Sequence, residues 1–269
     1  MKTVLITGSS SGIGKATAIY FAKQGWNVAA AMRNPEKETE LTKLSNVKLF
    51  ALGVTNNESI TKSIEAAAKA FGKIDVIVNN AGYGADGVFE AITDEVIQQQ
   101  FDTNVFGLMR VTRAIIPHMR ENKGGTIIQI ASMGGRLSFP LFSIYHGTKW
   151  AVEGFSEALQ YELRPFNIKI KIIEPGTIKT EFYGKGRVAV TGSNLPMYKN
   201  FVEKCEKVSQ TPAQNGVTPD EVAKVIFKSV DSGWKMRFAA GNPAPMLLWL
   251  RKRLPDSWYF GIVRSSYKI

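Results

Sequence analysis

The five residues Thr3-Val4-Leu5-Ile6-Thr7 form an apolar, β-branched run that breaks at Gly8, and a helical pattern begins a few residues later. This succession of strand, glycine turn and helix recurs along the chain and restricts its fold more than any other feature. Lys15 to Gln24 carries Ala16, Ile19, Tyr20 and Ala22 at helical spacing before Gly25 stops it. Val28 to Met32 reads as a second buried strand, with a helix expected after Pro35. Val47 to Leu52 reads as a third, followed by a helix opened by Asn56 and running through Ile60, Ile64 and Ala68. Asp75 to Asn79 is the fourth.

Thr93 stands where it would cap a helix from Asp94 into the apolar segment Val105 to Met119. Thr126 to Ala131 is the fifth strand, Ile144 to Arg164 one long helix ended by Pro165, and Ile168 to Ile173 the sixth strand. Thr218-Pro219 starts another helix, with proline in its first position, and Met236 to Ala240 is a last strand. Strands alternating with helices imply right-handed crossovers and an α/β architecture, a doubly wound parallel sheet. No repeat and no Pro/Gly/Ser linker divides residues 1–269, so a single domain is expected. The interval 181–217 interrupts the rhythm, with a helix expected near Met197 to Val208, and reads as a substrate lid.

The formal net charge of +11 is consistent with anionic partners. The cations are dispersed, however, apart from Arg251-Lys252-Arg253, and neither zinc-finger spacing nor an RNP-like motif occurs. No nucleic-acid partner is expected. Cys205 stands alone, which excludes an internal disulfide and a cysteine-rich metal site; no metal is expected. The start shows no signal-peptide pattern and no run of 18 or more apolar residues occurs, so a cytoplasmic protein is expected.

Two stretches carry chemistry. The first is Thr7-Gly8-Ser9-Ser10-Ser11-Gly12-Ile13-Gly14, between strand and helix. Gly8 permits the sharp turn, Gly12 lets a pyrophosphate approach the backbone, and Gly14 lets helix pack on strand. The helix N-terminus offers N–H groups and a positive dipole end to phosphates. No Walker lysine-serine pair follows, which argues against a nucleotide triphosphate loop. The second runs from Ser132, at the end of the fifth strand, to Tyr145 and Lys149. Residues i and i+4 of a helix share a face, their β-carbons about 5–6 Å apart. Hydroxyl, phenol and ammonium can therefore meet in one proton-transfer site. Taken singly, a tyrosine and lysine at this spacing are also common on solvated helix faces.

The turn T-G-x-x-x-G-I-G, the segment Asn79-Asn80-Ala81-Gly82, Asn104 within F-D-T-N-V-F-G, Ser132 with Tyr145-x-x-x-Lys149, and Pro175-Gly176-x-x-x-Thr180 together resemble the short-chain dehydrogenase/reductase family. These motifs span residues 7 to 180 in family order; beyond Thr180 the likeness is one of layout. The resemblance implies a Rossmann fold, a nicotinamide cofactor that supplies hydride, and a catalytic set of Asn104, Ser132, Tyr145 and Lys149. Tyr145 would be general acid or base, Ser132 would polarise the substrate oxygen, and Lys149 would lower the phenol pKa and hold the nicotinamide ribose. Asn104 would hold a helix kink and a water of a proton relay.

Cofactor contacts implied in the same way are Gly8, Ser10, Gly12, Ile13, Gly14, Arg33, Asn34, Val54, Asn80, Ala81, Gly82, Tyr145, Lys149, Pro175, Gly176, Ile178 and Thr180. The second strand ends Met32-Arg33-Asn34 with no carboxylate until Glu36, so Arg33 is expected to pair with a 2′-phosphate, and the cofactor is expected to be NADP(H). The family often has an aspartate after the third strand; here Gly53-Val54 leaves the adenine contact to backbone or Val54.

Phe139, Leu141, Phe142, Phe182 and Tyr183 adjoin these stretches and suggest an apolar pocket for a ketone or secondary alcohol. His146 and His118 read as packing or surface residues. A non-enzymatic dinucleotide-binding regulator or scaffold is the alternative on the same fold; it would have no need of the Asn104, Ser132, Tyr145 and Lys149 set. The resemblance also implies a homo-oligomer, a dimer or tetramer built through the helices around Asn104–Met119 and Ile144–Arg164. The C-terminal segment 243–269 is expected to pack on its own core or on a second subunit in preference to a membrane.

Overall fold

The computed structural model describes residues 1–179, 187–190, 192 and 194–269. Seven parallel strands form its central sheet: β1 (Thr3–Thr7), β2 (Asn27–Met32), β3 (Val47–Ala51), β4 (Val76–Asn79), β6 (Gly125–Ile130), β7 (Ile168–Pro175) and β9 (Arg237–Ala240), in the order β3-β2-β1-β4-β6-β7-β9. A single domain with a doubly wound sheet results. The order reverses between β1 and β4, and such a switch point opens a crevice at the carboxyl edge of the strands.

Alternation along each strand divides the core. From β1, Val4 and Ile6 face helices α1 (Gly12–Lys23) and α7 (Pro219–Val230), meeting Phe21, Val222 and Ile226. Leu5 faces α2 (Asn57–Phe71), α4 (Leu108–Glu121) and α5 (Ser143–Leu163), meeting Ile64, Val111 and Ile115. Both faces of the sheet are covered, so β1, β2 and β4 read as near-continuous apolar runs. Each such buried side chain stabilises the fold by about 1.5–3 kcal/mol. Lys171, central in β7, is buried because its ammonium donates to Ser232 Oγ and to the carbonyls of Gly233 and Lys235 at 3.0, 2.6 and 2.7 Å. Its three donors have three acceptors.

Two local features differ from the sequence reading. No helix follows Pro35; only single 3₁₀ turns form, at Pro35–Lys37 and Leu41–Lys43. The cause is Glu38, whose Oε1 accepts from the N–H groups of Glu40 and Leu41 at 2.8 and 3.1 Å and so competes with helical pairing. Thr93 and Thr218 do sit at the N-caps of α3 (Asp94–Phe101) and α7, but neither side chain makes a capping hydrogen bond; Asn56 does cap α2, accepting from Ser59 N. Asn104, expected at a helix kink, lies in an irregular segment. α3 passes into α4 through a π-helical turn, Asp102–Gly107.

Within the 181–217 interval, β8 (Arg187–Val190) pairs in parallel with β5 (Gly84–Gly87) as a separate two-stranded sheet. The expected helix is α6 (Lys199–Asn215), preceded by a 3₁₀ turn at Pro196–Tyr198. The C-terminal segment forms α8 (Ala244–Arg253) and α9 (Asp256–Tyr267).

Candidate active site

The carboxyl ends of β1, β4, β6 and β7 bring the expected site residues to one edge of the sheet. After β1, Gly8 and Gly12 adopt positive φ, 67° and 55°, and Gly14 lies in the first turn of α1. A Cβ at Gly14 would stand 2.3 Å from the carbonyl oxygen of Gly8, so only glycine lets the helix close on the turn. Ser11 at the N-cap makes no side-chain cap bond, and the first turn holds no acidic residue. The first N–H groups of α1 thus meet no competing side-chain anion, which suits the phosphates of a dinucleotide.

The turn is braced from β4. Thr7 Oγ1 accepts from the N–H groups of Asn80 and Ala81 at 3.0 and 3.1 Å, and Asn80 Nδ2 donates to the carbonyls of Thr7 and Gly8 at 3.0 and 3.2 Å. Asn80 therefore shapes the phosphate turn with both of its amide hydrogens. Thr7, which sequence reasoning did not single out, is its partner; its place as the first letter of the T-G-x-x-x-G-I-G turn was the available signal.

Arg33 and Asn34 emerge exposed from the end of β2, and Arg33 makes no ion pair among the described residues. Its guanidinium is available to an anion. Val54 turns inward instead: it is buried, and a Cβ on Gly107 would lie 2.8 Å from its Cγ2. Gly53 borders open space. Ile178 likewise points into the core on the α1 side, so it can meet a cofactor only through its backbone. A Cβ at Gly176 would fall 2.6 Å from the Asn242 carbonyl oxygen, which explains glycine after Pro175. Thr180, Phe182 and Tyr183 lie outside the described residues.

Ser132 leaves β6 in extended conformation, and its Oγ accepts from Gly134 N at 3.0 Å. Opposite it, α5 carries Tyr145, half-buried, and Lys149, buried. Lys149 Nζ donates to the Ile130 carbonyl at 2.8 Å and lies 5.8 Å from the Tyr145 ring centroid. The last carbonyl of β6 thereby anchors the lysine beside the phenol. Burial brings the Lys149 pKa down to about 8, while the Glu153 carboxylate opposes that fall.

Glu153 was missed by sequence reasoning, although it follows Lys149 at the same i, i+4 spacing. It is buried; Arg237 Nε on β9 donates to its Oε2 at 3.0 Å, and its Oε1 has no hydrogen-bond partner among the described residues. Burial, aided by the neighbouring Glu174 charge, pushes its pKa up to about 7, against the pull of Arg237 and Arg136. Glu174 in turn pairs with Arg136 at 3.0 Å.

Asn104 lies within the π-helical turn and is buried. Its Oδ1 accepts from Tyr83 N at 3.1 Å, and its Nδ2 donates to Tyr83 O and to Thr148 Oγ1 at 2.8 and 3.3 Å. The residue locks the α3–α4 junction to the loop after β4 and to α5. Both histidines serve packing. His146 Nδ1 accepts from Phe139 N at 3.3 Å, its ring stacks on Phe142, and burial lowers its pKa to about 4. His118 Nε2 accepts from Ile74 N. Phe142 also approaches Tyr145 edge-on, its ring centroid 6.4 Å away, whereas Phe139 joins the cluster beneath the C-terminal helices.

A phosphate turn at a switch point, facing a serine, a tyrosine and an anchored lysine, defines a nicotinamide-dependent oxidoreductase site. The family model for short chain dehydrogenases matches residues 2–189, and the chain belongs to the short-chain dehydrogenase/reductase family. It is 36% identical over 269 residues to the 3-ketodihydrosphingosine reductase of Bacteroides thetaiotaomicron, covering 99% of this chain and 98% of that one. A short-chain dehydrogenase from Streptomyces avermitilis has a similar structure, with a TM-score of 0.80, 34% identity, and coverage of 99% of this chain and 95% of the other. ElxO, solved with NADP bound, is similar at a TM-score of 0.73 and 28% identity, over 88% of this chain and 96% of that one.

Proposed function

We propose that the protein is an NADP(H)-dependent reductase of apolar ketones, able to oxidise the corresponding secondary alcohols, with Tyr145 as the proton donor and acceptor. The observation that carries this reading is the anchoring of Lys149 on the Ile130 carbonyl beside Tyr145. An ammonium held there favours phenolate over phenol and brings a group of ordinary pKa about 10 toward working pH. The bound nicotinamide supplies or accepts the hydride. Ser132 donates its hydroxyl hydrogen to the carbonyl oxygen, Tyr145 protonates that oxygen as it gains charge, and Lys149 stabilises the phenolate left behind. Asn104 keeps α5 and the loop after β4 in register, and is a candidate to hold a relay water.

NADP(H) over NAD(H) is supported by Arg33, exposed at the end of β2 without a competing carboxylate. An apolar substrate is supported by Phe142 beside Tyr145 and by the similarity over nearly the whole chain to a reductase named for a sphingoid ketone. A homo-oligomer fits Phe106, Trp150 and Tyr161, large side chains left exposed on the π-helical turn and α5; light scattering that gave a monomer would exclude it. The substrate reading is tested by following NADPH consumption with ketones of increasing chain length. kcat/KM should rise with apolar length, and preference for short, polar ketones would refute it.

A further inference from the structure

The two C-terminal helices divide their apolar side chains between two directions. Ala244, Leu248 and Tyr259 turn inward and are buried with Leu137, against Met133 and Phe139 of the segment that follows Ser132. That packing meets the needs of an ordinary terminal helix pair. It leaves Met246, Trp249, Trp258, Phe260 and Ile262 outward, 43–68% exposed. Five large apolar side chains, two of them tryptophan, are more than scattered surface residues require.

Charge selects the occupant. Arg251, Lys252, Arg253, Arg264 and Lys268 stand on α8, α9 and the residue after them, against Asp256 alone. The cations are interleaved with the aromatic rings: the Arg253 guanidinium lies 5.4 Å from the Trp249 ring centroid, and Arg251 lies 4.9 and 5.6 Å from Tyr259 and Phe260. A two-fold contact with a second copy would bring this cationic face against itself. An anionic lipid surface offers opposite charge to the cations and an interfacial layer to the tryptophans. Among the described residues no helix is long and apolar enough to cross a membrane, so contact would be peripheral.

We propose that α8 and α9 dock on the surface of an anionic bilayer through Trp249 and through Trp258 and Ile262, which share one side of α9 at i, i+4 spacing, with the basic side chains at headgroup level. Docking there sets the segment after Ser132, and with it the catalytic edge, close to the lipid. The binding claim stands apart from the assigned chemistry and is read without turnover.

The full chain is to be co-sedimented with phosphatidylcholine vesicles with and without phosphatidylglycerol, at low and high salt. Binding is expected to the anionic vesicles, weakening with salt. The double variant Lys252→Glu/Arg264→Glu should bind at least tenfold more weakly, since each lost surface cation corresponds to roughly fivefold. Trp249→Ser/Trp258→Ser should lose binding to a similar degree with unchanged circular dichroism, both side chains being exposed. Absent binding of the parent chain, or unaltered binding by both variants, overturns the proposal. So does a fall in oligomeric state caused by the tryptophan variant, which would assign the face to a second copy.

Discussion

Glu153 lies one helical turn beyond Lys149 on α5, and both ionisable groups are buried behind Tyr145. The groups facing Glu153 are Lys149 and Glu157 on its own helix, Arg237 on β9, Glu174 on β7 and Arg136 after the Ser132 turn. With its pKa raised to about 7, Glu153 is protonated below that pH and charged above it. Its charge is therefore present as Lys149, brought down to about 8, approaches loss of its own proton. Glu153→Gln keeps an acceptor for Arg237 but removes the charge. Lys149 should then deprotonate earlier, and the alkaline limb of the kcat/KM profile should move down by about one pH unit. A limb that stays in place would show that Glu153 acts only in packing.

His146 titrates in the opposite sense with respect to stability. The unfolded chain takes up a proton near pH 6.5, whereas the buried ring resists until about 4. Between those values the unfolded state binds more protons, so the His146 contribution to stability falls as pH falls, by up to about 3 kcal/mol. Glu153 works the other way across much of this window, because its folded pKa lies above the ordinary one. The informative quantity is therefore a difference between chains. His146→Asn keeps an acceptor near the Nδ1 position, and on acidification it should gain stability relative to the parent. Urea midpoints of both chains across pH 7 to 4 check this; a constant difference would contradict it.

Arg33 is expected to discriminate the two cofactors. A charge-assisted hydrogen bond contributes about 1.5–3 kcal/mol, so Arg33→Ala should raise the KM for NADPH by about ten- to hundredfold. The KM for NADH should change little. Equal use of both cofactors by the parent chain would remove the assignment.

The strands of the sheet were legible to within a residue or two, because burial makes their centres apolar and β-branched, as in Val76-Ile77-Val78 and Ile127-Ile128. What failed to show was decided by side chains acting on backbone. Glu38 captures two N–H groups and cancels the helix after Pro35. β5, Gly-Ala-Asp-Gly, has no strand pattern and exists only through β8, far away in sequence. The site was legible in its residue types and less so in its divisions of labour. The motif named Asn80 as a contact, while the structure gives it the bracing of Gly8; the resemblance named Asn104 for a helix kink, and the residue lies in the π-helical turn bonded to Tyr83. Buried partners such as Glu153 leave no motif, since their role depends on a strand, β9, that lies 84 residues away.

On the proposed mechanism Tyr145 exchanges the proton while Lys149, held by the Ile130 carbonyl, sustains its acidity. Tyr145→Phe removes the hydroxyl and leaves that anchor intact. NADPH binding, followed by cofactor fluorescence, should be retained, while NADPH-dependent turnover of an apolar ketone should fall by about 10²- to 10⁴-fold. Turnover within a few-fold of the parent chain, with binding unchanged, would contradict the account.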